Sequence, residues 1–266
     1  MSDYKWGIDS YSLSNYMDIT QAMIDDTDFV IFRLGTKGYG GQQTQAWLDR
    51  GLYLDAKTQS NMQDVQAAGK PVGLYIFTYA WDNISATSEA DAVCDILDAW
   101  DTHTEIPVFW DFEGTADEPM SSYGRLIALG ITPTTALVTG MCQAFSDRCT
   151  QRGRRTGLYT SQALAADLFT ASWINNYRQN GWYFWLASWF NSGSVPPPPM
   201  DCDIWQYWAG QGNLGENWHG TVVDYNWIIN DAVIGGDTPI PTTGIPIWLT
   251  LKMAGDKHYG KHTILL

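Results

Sequence analysis

Residues 106–114 read IPVFWDFEG, and this stretch decides how the rest of the chain is to be folded. From Ile106 to Trp110 odd and even positions are alike apolar. That pattern marks a strand covered on both faces, as in a parallel sheet walled by helices. The run then ends with Asp111 and Glu113 two positions apart. Side chains alternate along a strand, so these two share a face, with Cα atoms roughly 6.6 Å apart from two rises of about 3.3 Å. Two carboxyls so placed can act on one bond in different roles, and two solvated acids at a strand end have the same spacing.

Similar runs lie on either side. KWGIDSYS (5–12), DFVIFRLGT (28–36), PVGLYIFTYA (71–80) and TGLYTS (156–161) join IPVFWDFEG as five strand candidates. Helical patterns separate them at 55–70, 85–101 and 132–153, and a further one covers 161–176. In the third, Thr132 is the expected N-cap with Pro133 at the first helical position, and Leu137, Met141 and Phe145 recur every four residues. Beyond 176 come WYFWLASWF (182–190), DIWQYWAG (203–210) and TVVDYNWII (221–229), with no room for full helices between them. VPPPPM (195–200) continues neither a helix nor a central strand. Five β/α units followed by three strands predict an α/β fold of the irregular β/α barrel kind. Strand counting leaves an open doubly wound sheet as the alternative. Residues 1–234 form this domain, and 235–266 read as a linker, GGDTPIPTTGIP, with a short C-terminal extension too small for its own core.

Composition narrows the function. The chain carries a formal charge of −14, which argues against nucleic acid as a partner. Its 14 Trp and 14 Tyr are a heavy load of rings, suited to stacking sugars as well as to filling a core. There is no run of 18 apolar residues, and MSDYKWGIDSYS has neither a basic n-region nor an apolar h-region, so a membrane span and a signal peptide are not expected. Cys94, Cys142, Cys149 and Cys202 have no metal-ligand spacing and read as buried thiols, with Cys142 and Cys149 on one helix. His258 and His262 stand four apart in a Gly- and Lys-rich tail and read as a chance pairing. GTKGYGG (35–41) lacks either phosphate-binding spacing and reads as a tight loop. No metal and no cofactor are expected.

In a β/α barrel the chemistry lies at the C-terminal ends of the strands. Asp111 and Glu113 end the fourth strand, Asp9 lies in the first and Asp224 in the last. One cleft can gather all four, although a loop-capping role for Asp9 and a turn role for Asp224 are the plain readings of each alone.

The blocks GIDSYS, FVIFRLGTKGYG, AAGKPVGLYIFTYA, PVFWDFEG, TGLYTS, WLASW, DIWQYW and VDYNW, in this order over roughly residues 5–229, resemble glycoside hydrolase family 25, the muramidase-type lysozymes. The resemblance implies an irregular barrel that hydrolyses the β-1,4 bond between N-acetylmuramic acid and N-acetylglucosamine in bacterial peptidoglycan. It assigns Glu113 as general acid, Asp111 as its anionic partner, and Asp9 and Asp224 as further acids of the cleft. Tyr79, Tyr159, Trp189 and Gln206 fall where the family places sugar-contacting groups. Two positions depart from the pattern. The first block lacks a glutamine often found after the aspartate, and Lys37 stands where many members have a glutamate. A chitinase-type barrel is a rival, but its longer acidic run is not present; a non-catalytic glycan-binding barrel is another. Without a signal peptide, the expected course is synthesis in the cytoplasm and action on the cell wall after release, by a separate permeabilising protein if the enzyme is phage-encoded.

Overall fold

The computed structural model describes residues 4–38, 45–49, 51–189, 197–209, 219 and 221–235. Among the described residues nine strands form one sheet: β1 (Lys5–Asp9), β2 (Phe29–Thr36), β3 (Tyr53–Leu54), β4 (Val72–Phe77), β5 (Val108–Asp111), β6 (Thr156–Ser161), β7 (Tyr183–Ala187), β8 (Ile204–Ala209) and β9 (Asp224–Ile228). Their order is β1-β9-β8-β7-β6-β5-β4-β2-β3, and β1 also pairs with β2. That last pairing closes eight strands into a barrel and leaves β3 as a short edge hairpin on β2, so the open-sheet alternative is excluded. The barrel strands run parallel except β9, which is antiparallel to both β1 and β8.

Alternation sorts the side chains into two layers. Val30, Phe32, Leu74, Trp110, Leu158 and Leu186 point outward into the layer beneath the helices. Phe29, Ile31, Phe109, Trp185, Ile204 and Ile228 point inward and fill the barrel. Small residues make room for them: a Cβ on Gly7 would meet the Phe29 ring at 2.6 Å, and one on Gly157 would meet the Phe109 ring at 2.5 Å. The barrel is therefore a packed plug rather than a pore. At its floor Val233 is fully buried in the inner cluster. Lys5 pairs with Asp231 at 3.4 Å. Arg155 donates to the Glu105, Ala232 and Gly235 carbonyls, holding the end of the described chain against the start of β5.

Several boundaries differ from those expected. The first strand stops at Asp9, because extended Ser10 caps a helix at Tyr11–Asn15, its hydroxyl accepting from the Leu13 N–H. The helix expected from Thr132 is Thr135–Gln151, capped by Thr134, whose hydroxyl accepts from the Leu137 N–H. Pro133 disfavours the helical region at Thr132 and so lies outside the helix rather than at its first position. Met141 and Phe145 are buried on its inner face, with Cys142 and Cys149 beside them. The segment read as one helix over 161–176 is broken: Gln162–Leu164 runs into a π-turn at Ala165–Phe169, and Thr170, at φ 54°, caps a separate helix at Ala171–Gln179. The other two expected helices are Thr58–Ala67 and Asn83–Ala99. All four cysteines are free and buried. Residues 236–266 with His258 and His262, Tyr39 to Gly41 of the glycine-rich loop, and 195–196 of the proline run lie outside the described residues. Among the described residues no helix is long and apolar enough to cross a membrane.

Candidate active site

Four carboxyls meet at one end of the barrel. Asp9 closes β1 and Asp111 closes β5, both inward-facing, and Asp9 lies directly opposite Asp224 across the β1–β9 pair. Because β9 is antiparallel, its first residue reaches the end of the barrel that the parallel strands reach with their last. Opposed carboxylates in an antiparallel pair have Cβ atoms about 5 Å apart and repel one another, so this placement opposes stability and asks for another explanation.

Asp9 is 5% exposed and is a hub of donors. Its Oδ2 accepts from Gln206 Nε2 at 2.9 Å and from Asn226 Nδ2 at 2.7 Å. Indole N–H groups only donate, so they fix which way both amides face. Trp189 Nε1 and the Tyr159 hydroxyl donate to Gln206 Oε1, each at 3.0 Å, and Trp185 Nε1 donates to Asn226 Oδ1 at 2.8 Å. Burial nevertheless pushes Asp9 well above the ordinary carboxyl range, Asp224 adds to the push, and the two amide donors oppose it.

Asp111 is 2% exposed, and its Oδ1 is buried with no hydrogen-bond partner. Burial raises its pKa well above the usual value, Glu113 and Asp9 raise it further, and Arg33 pulls it down. Glu113 lies just beyond β5 and is half-buried, so the strand ends two residues earlier than its sequence suggests. Burial first, then Asp224 and Glu118, push its pKa up to about 7, against the pull of Arg33. The chain turns sharply after it. Gly114 has φ 94°, a Cβ there would lie 2.0 Å from Ser121, and the Glu113 carbonyl accepts from the Tyr123 N–H at 3.0 Å. Both the dihedral and the close approach require glycine.

The expected sugar-contacting residues separate into two groups. Tyr159, Trp189 and Gln206 join the Asp9 network, and Trp189 is 58% exposed at its edge. Tyr79 does not join it. Its hydroxyl donates to the Met120 carbonyl at 2.9 Å, fastening the loop that follows Glu113. Lys37 turns out of the cleft altogether: it is 1% exposed, with Nζ on the Leu48 carbonyl at 2.8 Å and on Ser88, beside the Trp47 ring.

Four residues of the site were not singled out by sequence. Asn226 and Trp185 complete the Asp9 network. Arg33 is the cation that acts on Asp111 and Glu113, visible only as one charge inside the apolar run FVIFRLGT. Glu89, on the Asn83–Ala99 helix, lies buried behind the cleft and accepts from Thr78 Oγ1, the Tyr79 N–H and Trp110 Nε1. Burial brings its pKa to about 7.

The model of glycosyl hydrolases family 25 matches residues 49–215, more than half of the chain. The chain belongs to glycosyl hydrolase family 25. The matched region contains Asp111 and Glu113; Asp9 and Asp224 lie outside it and are tied to the site by register. Among solved structures, the modular autolysin LytC of Streptococcus pneumoniae aligns with a TM-score of 0.61 at 18% identity, over 85% of this chain and 47% of that one. A family 25 glycosyl hydrolase from Bacillus anthracis aligns at 0.56 and 16%, over 86% and 91%. The catalytic domain of endolysin ply40, from bacteriophage P40 of Listeria monocytogenes, aligns at 0.55 and 16%, over 88% and 97%. This family 25 chain thus spans about half the length of LytC. At such identities the likeness is one of fold. A comparison with curated protein sequences finds no match.

Proposed function

We propose that this family 25 chain is an N-acetylmuramidase that cleaves the β-1,4 bond between N-acetylmuramic acid and N-acetylglucosamine in bacterial peptidoglycan. The observation that carries the proposal is a half-buried Glu113 with its pKa near 7 among three further carboxyls at one end of the barrel. A glycosidic oxygen leaves readily only when protonated, and an acid poised near neutral pH holds its proton and releases it in the transition state. Glu113 protonates that oxygen as the bond to the anomeric carbon breaks.

The route through Asp111 is substrate-assisted. The carbonyl oxygen of the sugar's own N-acetyl group attacks the anomeric carbon, an intramolecular step, and an oxazolinium ion forms. The N-acetyl N–H supplies the donor that Asp111 Oδ1 lacks, and a hydrogen bond to the charged form favours ionised Asp111 in the complex. Its charge then faces the cation that develops next to it. Water, giving a proton to the Glu113 carboxylate, opens the ring with net retention. Asp9, held by its two amides, and Asp224 complete the cleft, while Tyr159, Trp189 and Gln206 line its sugar-binding side.

In this proposal the enzyme acts on the cell wall after release from the cytoplasm, in the manner of an endolysin, with a separate permeabilising protein if it is phage-encoded. Mass spectrometry of the products from purified peptidoglycan is the direct test. Muramic acid at the new reducing end is expected. Glucosamine there would make the chain a glucosaminidase, and no product at all would make it a glycan-binding barrel.

A further inference from the structure

Arg33 is bound in an unusual way. It follows Phe29 and Ile31 on the inward face of β2 and stands in register with Tyr75 of β4. Nε and Nη2 form a fork onto the two Asp55 oxygens at 2.7 and 2.8 Å, and the Tyr11 ring lies 4.1 Å from the guanidinium carbon. A bidentate carboxylate and a stacked ring hold a guanidinium in one orientation. Yet Nη1 makes no hydrogen bond among the described residues, and the side chain is 19% exposed. Structural arginines elsewhere in this chain behave differently: Arg154 and Arg155 use Nη1 on the Thr102 and Glu105 carbonyls. Beside Arg33 stand Tyr11 and Tyr16, 41% and 65% exposed, edge to face at 5.4 Å with their hydroxyls 2.8 Å apart.

A donor held in place, open to solvent and flanked by exposed rings is the arrangement of a binding subsite for a planar acceptor. Asp55 offsets the charge of Arg33, so the pair offers directed N–H groups rather than net charge, and an amide carbonyl suits it as well as a carboxylate does. β2 and β5 are separated by β4, and the register places Arg33 level with Tyr75 and Phe109, so two steps of about 4.8 Å across and two rises of about 3.3 Å along set its Cα roughly 12 Å from that of Asp111. That distance suits a substituent on the sugar beside the scissile bond rather than the bond itself. What distinguishes muramic acid from glucosamine is its 3-O-lactyl group, whose carbonyl is an amide when the stem peptide is attached and a carboxylate when it is removed.

We propose that Arg33, locked by Asp55 and walled by Tyr11 and Tyr16, is a specificity-determining residue that binds the lactyl carbonyl of muramic acid through Nη1. The proposal rests on the muramidase reading above. Its test uses the full chain carrying Glu113→Gln, so that glycans bind without turnover. Calorimetry with soluble uncross-linked peptidoglycan strands and with chitohexaose, which has no lactyl group, compares that protein with the same protein carrying Arg33→Gln or Arg33→Lys. Loss of one hydrogen bond from the guanidinium should weaken binding to the peptidoglycan strands about tenfold. Chitohexaose affinity should be unchanged. Arg33→Lys retains an ion pair with Asp55 but not the fork, so it should fold as the parent does and still lose the discrimination. Equal losses on both glycans, or no loss on either, would overturn the proposal. If the parent enzyme with Glu113 intact releases no muramic acid reducing ends, the muramidase reading itself fails, and that result is separate from the arginine.

Discussion

The two buried aspartates of the cleft lie in regions of opposite character. Asp9 belongs to the corner where β9 runs against its neighbours, and there it accepts from two amides whose orientations are set by two indoles and a phenol. Asp111 belongs to the parallel half under the helices, and its Oδ1 has no partner. Burial raises both. The difference teaches that the antiparallel corner is a finished network, whereas the parallel half is left incomplete on the side where a substrate would arrive.

The sharpest way to break this contrast is at Glu113, which the parallel half presents. Glu113→Gln keeps the shape but has no acidic proton to give, so kcat should fall by on the order of 10²- to 10⁴-fold with glycan binding retained. Turnover within a few-fold of the parent would remove Glu113 as the acid. The aspartates themselves come next. Asp111→Asn should lower kcat on the order of 10²-fold with little change in Tm, since no donor is orphaned. Asp9→Ala should instead destabilise by about 1–3 kcal/mol, because the Gln206 and Asn226 amides, which both donate to Oδ2, lose their acceptor. If denaturant titration finds the larger stability loss at Asp111, the contrast is reversed.

Protonation provides a milder probe. kcat should decline as pH rises through about 7, where Glu113 loses its proton. Stability should follow the same direction. Glu89 and Glu113, both raised to about 7 by burial, retain protons in the folded chain at pH values where the unfolded chain has released them. The native state therefore binds more protons between about pH 4.5 and 7, and stability is lost as pH rises across that window. A Tm that climbs from pH 5 to 8 would contradict this. The smallest effect is expected at Tyr159→Phe, which removes one of two donors to Gln206 while Trp189 retains the other. kcat/KM should change by at most a few-fold.

Much of this contrast was legible before any coordinates. The doubly apolar run ending at Asp111 announced a parallel strand with an acid at its mouth, and the eight ordered blocks carried closure. Asp224 was harder. It lies at the beginning of its strand, the wrong end for a parallel barrel, and only the reversal of β9 brings it level with Asp9. Periodicity reports which face a residue takes but not strand direction. The amide network was hidden for a similar reason: Asn226 and Gln206 read as ordinary strand polars until register places both against one carboxylate. Lys37 shows the converse, since a position aligned with a cleft residue says nothing about where a long side chain turns once a ring and two carbonyls are within reach behind the sheet.

Reversing β9 also decides how this enzyme can be held. β1 starts, and β9 ends, at the floor, where Lys5 grips Asp231 and Arg155 secures Gly235, about five residues or on the order of 15 Å from the acids. Both described ends therefore leave from the side away from the cleft. An affinity handle, a fused module or a solid support joined at the described ends, directly before Tyr4 or after Gly235, starts from that opposite side, so immobilisation there can present the open cleft outward to something as large as a cell wall.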